Sequence, residues 1–171
     1  ILLGDVKEAE NAFSESLRIA KATEDVWGEM AAQIGLGDVY QVTKSLADAK
    51  TAYIAGLRLT EVLAARDPGN TGWQRDLSVS HNKIGDVRKA KGDLSTALES
   101  YEAGLLISQR LAAADPENGE WQRDLSVSHN KIGDVSKAQG NLSAALESHE
   151  AALLIRKRLA AADPGNSEWQ R

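Results

Sequence analysis

Displaced by 48 positions, the sequence falls onto itself: residues 67–114 and 115–162 are identical at 37 of 48 positions. A fixed period of that length is the signature of a solenoid, in which no unit buries its apolar face alone and each leans on its neighbours. The chain therefore reads as one array: a partial unit at 1–22, units at 23–66, 67–114 and 115–162, and the opening of another at 163–171. The first of the whole units has diverged, yet Gly37, Asp38, Val39, Ala49, Leu57, Leu63, Ala64 and Ala65 match both later copies. The leading half-unit aligns at a spacing of 40 rather than 48.

Within a unit, Trp73, Leu77, Ile84 and Val87 recur at three- and four-residue multiples, as do Leu94, Ala97, Leu98, Tyr101, Leu105 and Leu111. Each half is thus an amphipathic helix. Between them Gly92 supplies a left-handed helix end and Asp93 a cap for the next helix, with Asp5, Ser45 and Asn141 as the equivalent caps. Asp67-Pro68-Gly69-Asn70 is turn chemistry, since proline bars helix at the residue before it. Seven helices follow, near 5–22, 26–43, 45–66, 71–91, 93–114, 119–139 and 141–162.

Composition closes off other classes. Aromatic residues are 5% of the 171 and helix formers dominate, which leaves little strand signal. A net charge of −5 with interleaved signs argues against a nucleic-acid surface or a polybasic membrane patch. The absence of cysteine excludes thiolate metal sites and fits a reducing, cytoplasmic setting. No apolar run is long enough to span a bilayer, and the opening Ile1-Leu2-Leu3-Gly4 has neither an initiator methionine nor a signal layout; both ends read as mid-repeat, as in a piece of a longer protein.

Leu36, Gly37 and Tyr40 in a first helix, then Ala49, Tyr53 and Gly56 in a second, stand at the spacing of the tetratricopeptide signature. The later units supply Ile84, Gly85, Ala97, Tyr101 and Gly104, then Ile132, Gly133, Ala145, His149 and Ala152, and the half-unit supplies Ala9, Phe13 and Ser16. The chain resembles that family over essentially its whole length, in the extended form of kinesin light chain-like and bacterial multidomain arrays. Departures are Gln33, His81 and His129 at the family's tryptophan position, Arg88 and Ser136 at its tyrosine position, and the long period.

The resemblance implies an all-α, right-handed solenoid of antiparallel helical hairpins whose first helices line a concave groove. Carried over by position, the groove-facing residues are Asp38 and Gln41; Asn82, Lys83, Asp86 and Lys89; and Asn130, Lys131, Asp134 and Lys137. This ladder of mixed sign differs from the family's carboxylate clamp. It implies binding of a protein or peptide segment without catalysis or cofactor. The competing reading is a solvated face in which Asp86 pairs with Lys89, or Lys83 with Asp86, along one helix.

Gly37, Gly85 and Gly133 sit mid-helix, where glycine costs up to about 1 kcal/mol against alanine, so close helix approach under Tyr53, Tyr101 and His149 is expected. His81 and His129 are one position repeated and lack ligand-spaced partners, which favours packing over metal binding. Asp67-Pro68-Gly69-Asn70 lacks the alternating oxygens of a calcium loop. Trp73, Trp121 and Trp169 read as inter-repeat contacts rather than exposed anchors, and Trp27 lies two places off that register. No nucleophile triad, phosphate loop or poised carboxylate pair marks an enzyme. The alternative role is a spacer whose open ends associate end to end.

Overall fold

The computed structural model describes residues 3–165, and these form seven α-helices joined by short turns with no strand among them. They are α1 (Leu3–Ala22), α2 (Val26–Val42), α3 (Leu46–Arg66), α4 (Thr71–Ala90), α5 (Leu94–Ala114), α6 (Gly119–Ala138) and α7 (Leu142–Ala162). Every expected helix is present within a residue or two of its expected bounds. One cap is displaced: α1 begins at Leu3, so Asp5 lies inside its first turn instead of preceding it. Trp169 lies outside the described residues.

Helix starts are fixed by side-chain oxygens that take up free backbone N–H groups. Trp73 and Trp121 donate their backbone N–H groups to Asn70 and Asn118, each at 3.1 Å. Thr96 and Ala144 do the same toward Asp93 and Asn141. Ser45 makes no such bond, so the α2–α3 hairpin turn lacks the cap its later copies carry. Gly92 and Gly140 end α4 and α6 at φ +82°, a conformation glycine adopts without strain. At the α2–α3 hairpin turn Lys44 holds that left-handed geometry with a side chain present, at φ 60°, as does Glu24 at φ 56° in the α1–α2 turn between units.

Each helix packs on the one before and the one after, and of the contacts beyond chain neighbours the fullest joins α4 to α6. The first helices therefore stand side by side along one face. Between units the core is built from Ala49, Tyr53, Ile84 and Val87, and again from Ala97, Tyr101 and Val135. The mid-helix glycines make room for these rings. A Cβ on Gly85 would lie 2.9 Å from Tyr101 Cζ, and one on Gly133 would lie 2.6 Å from His149 Cε1, both inside van der Waals contact. Tyr53 and Tyr101 are each only 1% exposed. Burial of a large side chain contributes roughly 1.5–3 kcal/mol, more than the glycine's helix penalty of about 1 kcal/mol.

Candidate interaction face

The side-by-side first helices bring the ladder positions together: Asp38 and Gln41 from α2, Asn82, Lys83, Asp86 and Lys89 from α4, and Asn130, Lys131, Asp134 and Lys137 from α6. The charges pair across units and not along one helix. Lys83 reaches back to Asp38, and Lys131 reaches back to Asp86 at 2.6 Å. Lys89 reaches forward to Asp134 at 3.2 Å. A lysine–aspartate separation of 45 residues places the partners on successive first helices, which the intrahelical pairing expected from spacing did not include.

An aromatic ring completes each clasp. The Tyr53 hydroxyl lies 2.6 Å from the Asp38 carboxylate and 2.8 Å from Gln41, and the Tyr101 hydroxyl donates to Asp86 at 2.8 Å. Lys83 and Lys131 stand over these rings at 5.4 and 5.7 Å from the centroids, close enough for cation–π attraction. Burial and the adjacent carboxylates push both phenols above their ordinary range, so each remains a hydrogen-bond donor at neutral pH. In the last unit His149 stands in for tyrosine, with Nδ1 3.3 Å from Asn130 and Nε2 3.8 Å from Asp134.

The candidates differ in how open they are. Asn82 is buried, 8% exposed, and gives its amide N–H to Ser128 at 3.2 Å, so it is turned into the α4–α6 contact. Asn130, Lys83 and Lys131 are half-buried, whereas Asp38, Asp134 and Lys137 are exposed. Between α4 and α6 lies a cleft of about 210 Å³ lined by Ser78, Val79, Asn82, Lys83, Asp86, Asp124, Val127 and Lys131. Its lining combines two valines with the buried Ser78 and Asn82 and with side chains of both charges, an arrangement that offers a passing chain apolar, polar and charged contacts.

A second link runs at the other end of these helices. Arg75 of α4 donates to Asp124 of α6 at 2.5 Å and lies 3.6 Å from Glu120. One unit earlier the arginine position is Trp27, which is 54% exposed. No arginine from α2 therefore meets Asp76, and burial raises its carboxyl above the usual range against the pull of Arg75. Trp73 and Trp121 are half-buried at the helix starts.

Sequence reasoning passed over a seam of buried hydroxyls. Ser78 bonds Ser108 at 2.7 Å, Ser108 lies 3.3 Å from Ser128, and Ser126 donates to the Ala152 carbonyl at 3.3 Å. The signal was available: Ser-Val-Ser occurs twice, at 78–80 and 126–128, within an otherwise apolar helix stripe. Such groups tolerate burial only when paired. Arg88, at the departed tyrosine position, bridges α4 to α5 through the Thr96 carbonyl at 2.9 Å and Ser100 at 2.6 Å. His81 and His129 are half-buried and desolvation lowers their pKa; no cluster of metal-ligating side chains occurs among the described residues.

These features define a helical repeat protein, an α-solenoid of stacked hairpins. The crystal structure of BtubC (BKLC) from P. vanneervenii shares its fold, with a TM-score of 0.74 over 95% of this chain and 59% of that one at 21% identity. The chain thus spans about three-fifths of the length of that helical repeat protein. No family model and no curated sequence matches it. Among the described residues no helix is long and apolar enough to cross a membrane.

Proposed function

We propose that this chain is a tetratricopeptide-type interaction scaffold that holds a protein or peptide segment against its first helices, without chemistry of its own and in a reducing compartment such as the cytoplasm. The observation that carries this is the α4–α6 cleft, whose lining brings together Val79, Val127, Lys83 and Lys131 from neighbouring first helices. An incoming acidic segment competes with Asp38 and Asp86 for those lysines, while Val79 and Val127 receive its apolar side chains. Lys137, exposed on the same face, extends the basic edge.

The test is a peptide selection on the immobilised chain, followed by affinity measurement on Lys83→Gln/Lys131→Gln, with helicity matched by circular dichroism. Selected peptides are expected to be acidic and to lose at least tenfold in affinity. Selection of no peptide, or of peptides indifferent to both lysines, refutes the groove assignment. A second reading has its own observation behind it: the lysines already answer the aspartates across units, so the ladder also serves as a clasp that sets helix spacing in a structural spacer. In that case the double variant changes stability and binds nothing.

A further inference from the structure

The α2–α4 and α4–α6 junctions share one register but not one set of clasps. Lys83 reaches Asp38 and Lys131 reaches Asp86 over the same 45 residues, so α2 stands to α4 as α4 stands to α6. At the helix starts Arg75 of α4 is answered by Asp124 at 2.5 Å and by Glu120 at 3.6 Å. One unit earlier the copies of these three residues are Trp27, Asp76 and Gly72. The place that holds a guanidinium at α4–α6 therefore has, at α2–α4, an indole on one side, one carboxylate on the other, and no side chain where the second acid stood.

Both groups are left open. Trp27 is 54% exposed, and its indole N–H has no partner among the described residues. Asp76 is half-buried, yet among those residues its carboxylate accepts no hydrogen bond and has no cation within ion-pair distance. Its chain neighbour Arg75 is turned to Asp124. A carboxylate withdrawn from water without a partner is unfavourable, and burial raises the Asp76 carboxyl above the usual range. An aromatic ring beside an aspartate is a combination that this face uses for cations twice already: Lys83 stands over Tyr53 against Asp38, and Lys131 over Tyr101 against Asp86.

We infer that Trp27 and Asp76 form a recognition slot for an arginine side chain of the bound segment, its guanidinium lying on the indole and donating to the Asp76 carboxylate. Arginine suits the slot better than lysine because its planar fork stacks on a ring and meets a carboxylate through two N–H groups. Arg75 shows that a guanidinium fits the copy of the slot one unit later. The slot rests on the groove reading, since a segment held along α4 is what brings the arginine to it. Asp76 and Lys83 lie two helical turns apart on α4, about 10 Å. Extended chain covers that distance in about three residues, so the segment carries its arginine about three positions from the acid that meets Lys83.

The probes are labelled peptides with aspartate and arginine three positions apart, in either order, and the same peptides with citrulline, which keeps the shape of arginine and loses the charge. Affinities are read by fluorescence anisotropy. In one order the arginine peptide is expected to bind at least fivefold more tightly than its citrulline counterpart. Trp27→Ala and Asp76→Asn should each erase that preference and leave the citrulline peptide's affinity unchanged, with helicity matched by circular dichroism. Lys83→Gln/Lys131→Gln should weaken both peptides alike and keep the preference; a preference that persists with no dependence on the lysines strikes the groove reading and leaves the slot standing. In the chain alone, Trp27→Arg should reproduce the Arg75–Asp124 link and raise the urea midpoint, a gain that Asp76→Asn removes. Equal affinity for arginine and citrulline in both orders, no binding of any peptide, or a Trp27→Arg effect indifferent to Asp76 overturns the slot.

Discussion

Replacing Gly85 with alanine sets two opposing effects against each other with predictable magnitudes. Alanine favours a helix interior by about 1 kcal/mol relative to glycine. Against this, the added Cβ would stand 2.9 Å from Tyr101 Cζ and meet two other ring atoms. The ring has no room to retreat, since it is 1% exposed, tied through its hydroxyl to Asp86 at 2.8 Å and overlain by Lys131. Overpacking of a filled core costs about 1–3 kcal/mol. The net expectation is a loss of roughly 0–2 kcal/mol, read as a lowered urea midpoint at unchanged slope by circular dichroism. In a Tyr101→Leu background the obstruction disappears and the same substitution should be neutral or stabilising. A Gly85→Ala variant more stable than the parent, with Tyr101 in place, would refute the argument that close ring packing maintains the glycine.

Three further outcomes follow from the geometry. Lys44 holds φ 60°, where an L side chain is strained, so Lys44→Gly should stabilise by a few tenths to about 1 kcal/mol in thermal melts. Lys131→Met and Asp86→Asn should show a coupling of about 1 kcal/mol in a double-mutant cycle at low ionic strength, shrinking as salt is added; both side chains are less than a third exposed, which limits screening at this pair. His81 and His129 are held neutral by burial, so their folded pKa lies below the unfolded value near 6.5 and the unfolded state binds more protons below that pH. Their contribution to stability is complete above about pH 6.5 and declines as pH falls toward the lowered folded values. A His81→Gln/His129→Gln variant should lose less stability than the parent between pH 7 and 5 in urea titrations.

The helices were legible because local signals agree: the apolar stripes of α4 and α5, the caps at Asn70 and Asp93, and Gly92 at its turn all specify one hairpin. Pairing of Gly85 with Tyr101 could likewise be inferred, because an unfavourable residue recurring mid-helix implies a neighbour that needs the space. What the periodicity left out was the registry between units. Lys131 and Asp86 lie 45 residues apart, three short of the period, and only the stagger of neighbouring helices brings them into contact. Asn82, assigned to the groove by analogy, does line the α4–α6 cleft, but it is buried there with its amide N–H on Ser128, a bond that the small hydroxyl residue opposite it permits and that periodicity could not show. Buried serines look polar in isolation, and their place in the core is visible only once Ser78 and Ser108 are seen to answer one another.

The direction of the cross-unit clasps also governs how such an array can change length. A 48-residue copy inserted in frame between two units brings its own lysine for the aspartate behind it, its own aspartate for the lysine ahead, and an arginine and an acid that serve the other link. Both new junctions are then chemically the same as the old one. Gene duplication can lengthen or shorten this chain in whole units without any seam needing repair, and the near-identity of residues 67–114 and 115–162 is the trace such an event leaves.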